Sequence, residues 1–244
     1  GIWGDFDTDI MIGKIERAFK GWEKVNNKLP KVTPVEYEFP KTVNMIRKED
    51  VNQSNIYLGH IGGLRSNPDY FALILMNRIL GSGFTSRLFK NVRSREGLAY
   101  SVFGIYSANY DFPGLFYVGC QTKSENTIKS IRAMIEEVRK MTESEVTDEE
   151  LALAKDSYLN SFVFNFDTKG GIVQRLMTYA YYDYPLDFLQ KTKESVEQVT
   201  KKDVLRVAKE YLRPDDVQIL AVGKPEDFDE PLSVLGSVHE IDIT

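Results

Sequence analysis

A chain of 244 residues, 42% of them hydrophobic, can bury the core of one large domain or two small ones. Its 31 Lys and Arg against 36 Asp and Glu leave a net charge of −5, a mild acidity that argues against a nucleic-acid-binding face. A single cysteine, Cys120, excludes an internal disulfide and any multi-cysteine zinc site. No run approaches about 18 consecutive apolar residues, so no membrane span is expected, and no secretory signal pattern is present. Gly1-Ile2-Trp3 in place of an initiator methionine gives the expectation of a sequence that begins partway through a longer chain. The lone cysteine leaves the compartment open between cytoplasm and periplasm.

In chain order, Ile2–Phe6 is a short apolar piece expected as a strand. Asp7 can cap a helix in which Ile10, Ile12, Ile15, Phe19 and Trp22 recur at helical spacing. Residues 24–37, rich in Lys, Asn and Pro, read as a linker. Thr42–Arg47 and Gln53–Gly59 read as strands, the second with Ile56 and Leu58 on its inner side. Asn67-Pro68 suits a helix start, with Phe71, Ile74, Leu75 and Ile79 as its buried stripe. Gly81 suits that helix's C-cap.

Thr85–Arg95 is expected as a short basic helix, with Leu88, Phe89 and Val92 among Arg87, Lys90, Arg93 and Arg95. Ala99–Tyr110 alternates, with Tyr100, Val102, Gly104 and Tyr106 on one face and Ser101, Phe103, Ile105 and Ser107 on the other. Asp111-Phe112-Pro113-Gly114 is a turn, and Leu115–Gln121 completes a hairpin. Five helical patterns follow. Asn126–Thr142 carries Ile128, Ile131, Ile135 and Val138. A capping box at Thr147–Glu150 opens the next, which buries Leu151, Ala154, Tyr158 and Phe162. Ile172–Tyr182, Pro185–Val199 and Lys201–Leu212, capped by Thr200, are the remaining three, and Val217–Gly223 returns as a strand. Strands at both ends around a block of helices predict an α+β domain, a mostly antiparallel sheet with helices on one face.

Few residues offer chemistry. His60 at a strand end reads as a core histidine rather than a ligand, and His239 lies in an acidic tail. Glu136-Glu137 and Glu149-Glu150 are adjacent on helices and do not converge, so each pair reads as a solvated face. Gly81-Ser82-Gly83 fits no phosphate-binding spacing, no nucleophile elbow is present, and Cys120 reads as a small buried residue. Tyr179–Tyr184 reads as packing rather than a cavity wall. Val51–Ile56 and the strands after it are candidates for taking an extended peptide along a free sheet edge.

The stretch SRLFKNVRSREGLAYSV, followed by the hairpin, resembles the C-terminal, non-zinc domain of pitrilysin/insulinase-type zinc peptidases, the group that includes mitochondrial processing peptidase. The likeness extends to the ending GKPEDFDEPLSVLGSVHEID. The similar GDFD near the start then implies two tandem homologous domains. Residues 1–23 would be a terminal strand–helix remnant of the first, residues 24–37 the linker, and 38–244 the second. The family's zinc motif, H-x-x-E-H, is absent from this sequence. The resemblance therefore implies an inactive, substrate-binding half with no metal of its own. Zinc would sit in a preceding domain or a homologous subunit, within a dimer acting on peptides or unfolded protein. It further implies that Arg93 anchors substrate and Tyr100, seven residues on, donates to the developing oxyanion. An inactive scaffold or partner subunit of the same family is the alternative.

Overall fold

The structure, a computed structural model, describes residues 1–23, 33–36, 41–185 and 187–243. The linker read at 24–37 lies outside them apart from 33–36, which carry no helix or strand. The elements are α1 (Thr8–Phe19), β1 (Val43–Arg47), β2 (Gln53–Ile61), β3 (Gly63–Leu64) and α2 (Tyr70–Gly81). A π-helical turn (Phe89–Arg95) leads to β4 (Ala99–Tyr106), β5 (Ala108–Asn109) and β6 (Leu115–Lys123). Then come α3 (Thr127–Glu143), α4 (Asp148–Val163), α5 (Lys169–Tyr181), α6 (Phe188–Gln198) and α7 (Lys201–Tyr211), before β7 (Gln218–Gly223) and β8 (Val238–Glu240).

Six strands form the main sheet in the order β4-β6-β2-β7-β1-β8. The β4/β6, β6/β2 and β2/β7 pairs are antiparallel, and the β7/β1 and β1/β8 pairs are parallel. The α+β architecture and its mostly antiparallel sheet agree with the sequence reading. β8 does not emerge from the pattern: it has three residues, all exposed, and no buried side of its own.

Period-2 alternation sends Ser54, Ile56, Leu58 and His60 of β2 inward, with Phe116, Val118, Cys120 and Thr122 of β6 beside them. α2 and α3 lie against this side, with α4, α6 and α7 packed on α2. The inward polar groups are paired: Ser54 and Thr127 share a hydroxyl–hydroxyl bond of 2.7 Å, and Thr122 donates to the Leu98 carbonyl. Burial pushes the Cys120 thiol up to about 12, as expected of a structural cysteine. His60 is a core residue: Nδ1 bonds the Ile61 carbonyl at 2.7 Å and Nε2 accepts the Arg213 amide. Burial holds its imidazole below the ordinary histidine value. Among the described residues the opposite side of the sheet stays open. Tyr57, Phe103 and Tyr117 form an aromatic cluster there with centroids 6.0–6.3 Å apart, and Tyr57, Ile105 and Leu115 are exposed.

Three local expectations are corrected. α2 begins at Tyr70 rather than at Asn67-Pro68, because Asn67 Oδ1 accepts the Asp69 amide and closes a turn first. Its buried surface is wider than the expected stripe: Leu73, Met76 and Leu80 are fully buried, while Phe71 and Ile74 are half-buried, since sheet and helices enclose it. Residues 1–7 form no strand; they have no sheet partner, and α1, capped by Asp7, has no buried residue.

Gly81 is not a C-cap either: it is the last helical residue of α2, and its role is close approach. A Cβ there would lie 2.2 Å from the Gly104 nitrogen and 2.3 Å from its Cα. Asn77, four residues earlier, donates to the Gly104 carbonyl at 3.2 Å. Helix and strand therefore meet backbone to backbone. Gly81→Ala is expected to lower unfolding stability in urea by about 3 kcal/mol or more through overpacking. Gly21→Ala, where a Cβ meets nothing within 4 Å among the described residues, is expected to leave it unchanged within about 0.5 kcal/mol.

Candidate functional site

The basic segment after α2 is helical as expected but wound as a π turn. The Glu96 amide reaches back five residues to the Asn91 carbonyl at 3.0 Å. Leu88 and Val92 point into the core and fix its inner side. Gly97, at φ +64°, reverses the chain so that β4 starts directly beneath. β4 opens with a bulge: Ala99 pairs with Thr122 and Ser101 with Gln121, leaving Tyr100 as the extra residue. This separates Tyr100 from the buried face of Val102, Gly104 and Tyr106, where simple alternation places it. Its side chain is 74% exposed.

The π turn and the bulge bring Arg93 and Tyr100 together. The Arg93 guanidinium lies 4.7 Å from the Phe89 ring centroid and 5.8 Å from that of Tyr100. Phe84, 78% exposed, stands edge-on to Phe89 at 5.0 Å. Among the described residues, neither the Arg93 guanidinium nor the Tyr100 hydroxyl has a hydrogen-bond or ion-pair partner. The pair thus presents a planar fork of donors and a phenolic donor side by side to solvent. Arg95, the rival cation, pairs with Glu96 at 3.6 Å. Nothing among these residues fixes a substrate; the arrangement supplies donors for carbonyl or carboxylate oxygens.

Two shielded acids, Glu150 half-buried and Glu137 buried, anchor the turn. Arg87 makes a bidentate contact with Glu150, Nε–Oε1 2.7 Å and Nη2–Oε2 2.8 Å, with both side chains largely shielded. Glu150 also closes the α4 capping box by accepting the Thr147 amide. Burial pushes the Glu150 carboxyl up, but Arg87 and the Thr147 amide outweigh it and hold the group below its ordinary value. Glu137 accepts from Asn91 Nδ2 and Lys140 Nζ at 2.7 and 2.8 Å. Glu137 is buried, which corrects the expectation of a solvated Glu136-Glu137 face. Sequence does hold a signal for it: Glu137 falls at helical spacing between the buried Met134 and Met141.

The peptide-edge expectation for Val51–Ile56 is also corrected. β2 is central, flanked by β6 and β7, so its backbone is already paired. The sheet's edges are β4, which carries Tyr100, and β8. The Tyr179–Tyr184 run packs rather than lining a cavity: Tyr182 stacks on Tyr110 at 4.0 Å and donates to Asp111 at 2.7 Å.

Zinc does not fit the residues present. Both His60 ring nitrogens are engaged by backbone groups. His239 sits on β8, three strand spacings away in the sheet order, about 14 Å across the ladder. No group of three or more His, Cys, Asp or Glu among the described residues could hold a metal ion.

Residues 1–158 match the family described as "Peptidase M16 inactive domain". The chain belongs to the peptidase M16 family. It is similar to the "Probable inactive metalloprotease YmfF" of Bacillus subtilis (strain 168), 28% identical over 211 residues that cover 84% of this chain and 47% of that protein. The "Non-peptidase homolog YmxG" of Helicobacter pylori is 26% identical over 86% of this chain and 50% of its own length. A solved M16 inactive domain from Pseudomonas fluorescens superposes with a TM-score of 0.69 at 25% identity, covering 81% of this chain and 47% of that one. This M16 chain spans about half the length of these relatives.

The depressed Glu150 carboxyl sets an acid limb. Its stabilisation is full above the ordinary value near 4.5 and is lost as pH falls through the lower folded-state value. In Glu150→Gln the unfolding free energy from urea titration at pH 7 is expected to fall by about 1.5–3 kcal/mol, with a shallower decline below pH 4.5 than in the wild type. Equal stability of the two proteins at pH 7 would show that Arg87 and Glu150 do not anchor the turn.

Proposed function

We propose that this chain is the non-catalytic, peptide-holding half of an M16 zinc peptidase, working with a zinc-carrying domain or homologous subunit. The observation that carries the proposal is the unpartnered Arg93–Tyr100 pair, set side by side at an edge of the sheet. In this reading the Arg93 fork grips peptide carbonyl oxygens. The Tyr100 hydroxyl donates to the scissile carbonyl oxygen as negative charge develops on it. The aromatic cluster on the open sheet face offers the same peptide an apolar surface. Residues 1–23 belong, in the same reading, to the preceding domain; the exposed Ile10, Phe19 and Trp22 of this segment support that placement.

A scaffold or partner-subunit role is the second reading, favoured by the names of the relatives, "probable inactive metalloprotease" and "non-peptidase homolog". Cleavage of a fluorogenic peptide by the full-length protein, or by its complex with the zinc-carrying subunit, separates the two. Tyr100→Phe is expected to lower kcat about 10²–10³-fold with little change in KM. Arg93→Ala is expected to raise KM. Wild-type kinetics in both variants would refute the assigned roles, and no cleavage by the zinc-loaded assembly would favour the scaffold.

A further inference from the structure

Arg78 on α2 is paired unlike the chain's other perturbed arginines. Arg47, Arg87, Arg132, Arg139 and Arg206 each rest on a carboxylate. Arg78 is partly buried and, among the described residues, contacts only neutral groups: Ser157 Oγ at 2.7 Å, Ser161 Oγ at 2.8 Å and the Tyr158 ring at 5.2 Å. Burial holds its guanidinium below the ordinary arginine value, and the phenol of Tyr158 only partly offsets this. The chain has an excess of acids, 36 against 31 bases, so carboxylates are not scarce. A desolvated cation without a counter-ion is costly to keep.

Arg78 borders a recess of about 230 Å³ between α2, the π-helical turn and α4. Lys90 lines it too and makes no ion pair among the described residues. Ser82, Thr85 and Ser157, three hydroxyl-bearing residues, line the same space. Ser157 accepts from Arg78 and Ser82 from Asn77, and the protons of all three hydroxyls lack an acceptor among the described residues. Of the two acids on the wall, Glu150 is neutralised by Arg87, and Glu149 is exposed. One positive charge is left in excess.

We propose that this recess binds a small oxyanion, a phosphate or carboxylate group held by Arg78 and Lys90 and received by the hydroxyls of Ser82, Thr85 and Ser157. The proposal is independent of the peptide-holding role. Calorimetric titration of the whole chain at constant ionic strength, with inorganic phosphate in one arm and succinate in the other, tests it. Saturable one-site binding is expected in at least one arm, and the arm that binds identifies the source. Arg78→Gln and Lys90→Gln are each expected to weaken it about tenfold, while Lys123→Gln on β6 leaves it unchanged. Lys90 is exposed, so its variant carries the test should Arg78→Gln fail to fold. Absence of saturable binding in both arms, or affinity unchanged by the two variants, would overturn the proposal.

Discussion

The backbone contact between Gly81 and Gly104 governs the geometry of this chain. A side chain at Gly81 would collide with the strand, so α2 can press onto β4 only because Gly81 lacks one; at Gly104 a Cβ would meet the Gly81 Cα at a tight 3.2 Å. The approach is held by Asn77, whose amide donates to Gly104. α2 therefore ends directly above the sheet edge. The π-helical turn that follows has to lie over the start of β4, and the reversal at Gly97 brings the chain back under it. Arg93 and Tyr100 are neighbours as a consequence of this packing. The cation–ring contact between them, about 0.5–1 kcal/mol at an exposed site, is too weak to enforce the arrangement alone.

Rigidity comes from beneath. Arg87–Glu150 ties the turn to α4, and Asn91–Glu137 ties it to α3. Both acids are shielded from water, and breaking either contact leaves an unsatisfied polar group in a poorly solvated place. The donors that face outward are the ones without internal partners. That division suits a surface that holds a ligand: the supporting polar groups are satisfied by the protein, and the presenting groups are not.

Much of the fold was legible because periodicity and capping agree. Thr147 opens a capping box and Thr200 caps α7 where the sequence places them, and Leu151, Ala154, Tyr158 and Phe162 are the residues α4 buries. The inward face of β2 follows from alternation alone. Other features depend on contacts between distant segments. The bulge at Tyr100 breaks a clean period-2 pattern, because the register with β6 shifts between Ala99 and Ser101. The strand β8 is a short exposed segment defined by its pairing with β1. Glu137 resembled a surface acid until Asn91 and Lys140 closed around it. Arg93 and Tyr100 were named from a family resemblance, and a helix running straight into a strand could aim both at one edge; the π turn and the bulge are the features that make them neighbours.

The most direct measurement of the central claim is the proton NMR shift of the Arg93 side chain. With Arg93 held over the Phe89 and Tyr100 rings, its δ-methylene protons should be displaced upfield by ring currents, and part of that displacement should vanish in Tyr100→Leu. It should also shrink in Glu137→Ala, where the support under the turn is removed. Random-coil Arg93 shifts in the wild type, unchanged by either substitution, would contradict the account.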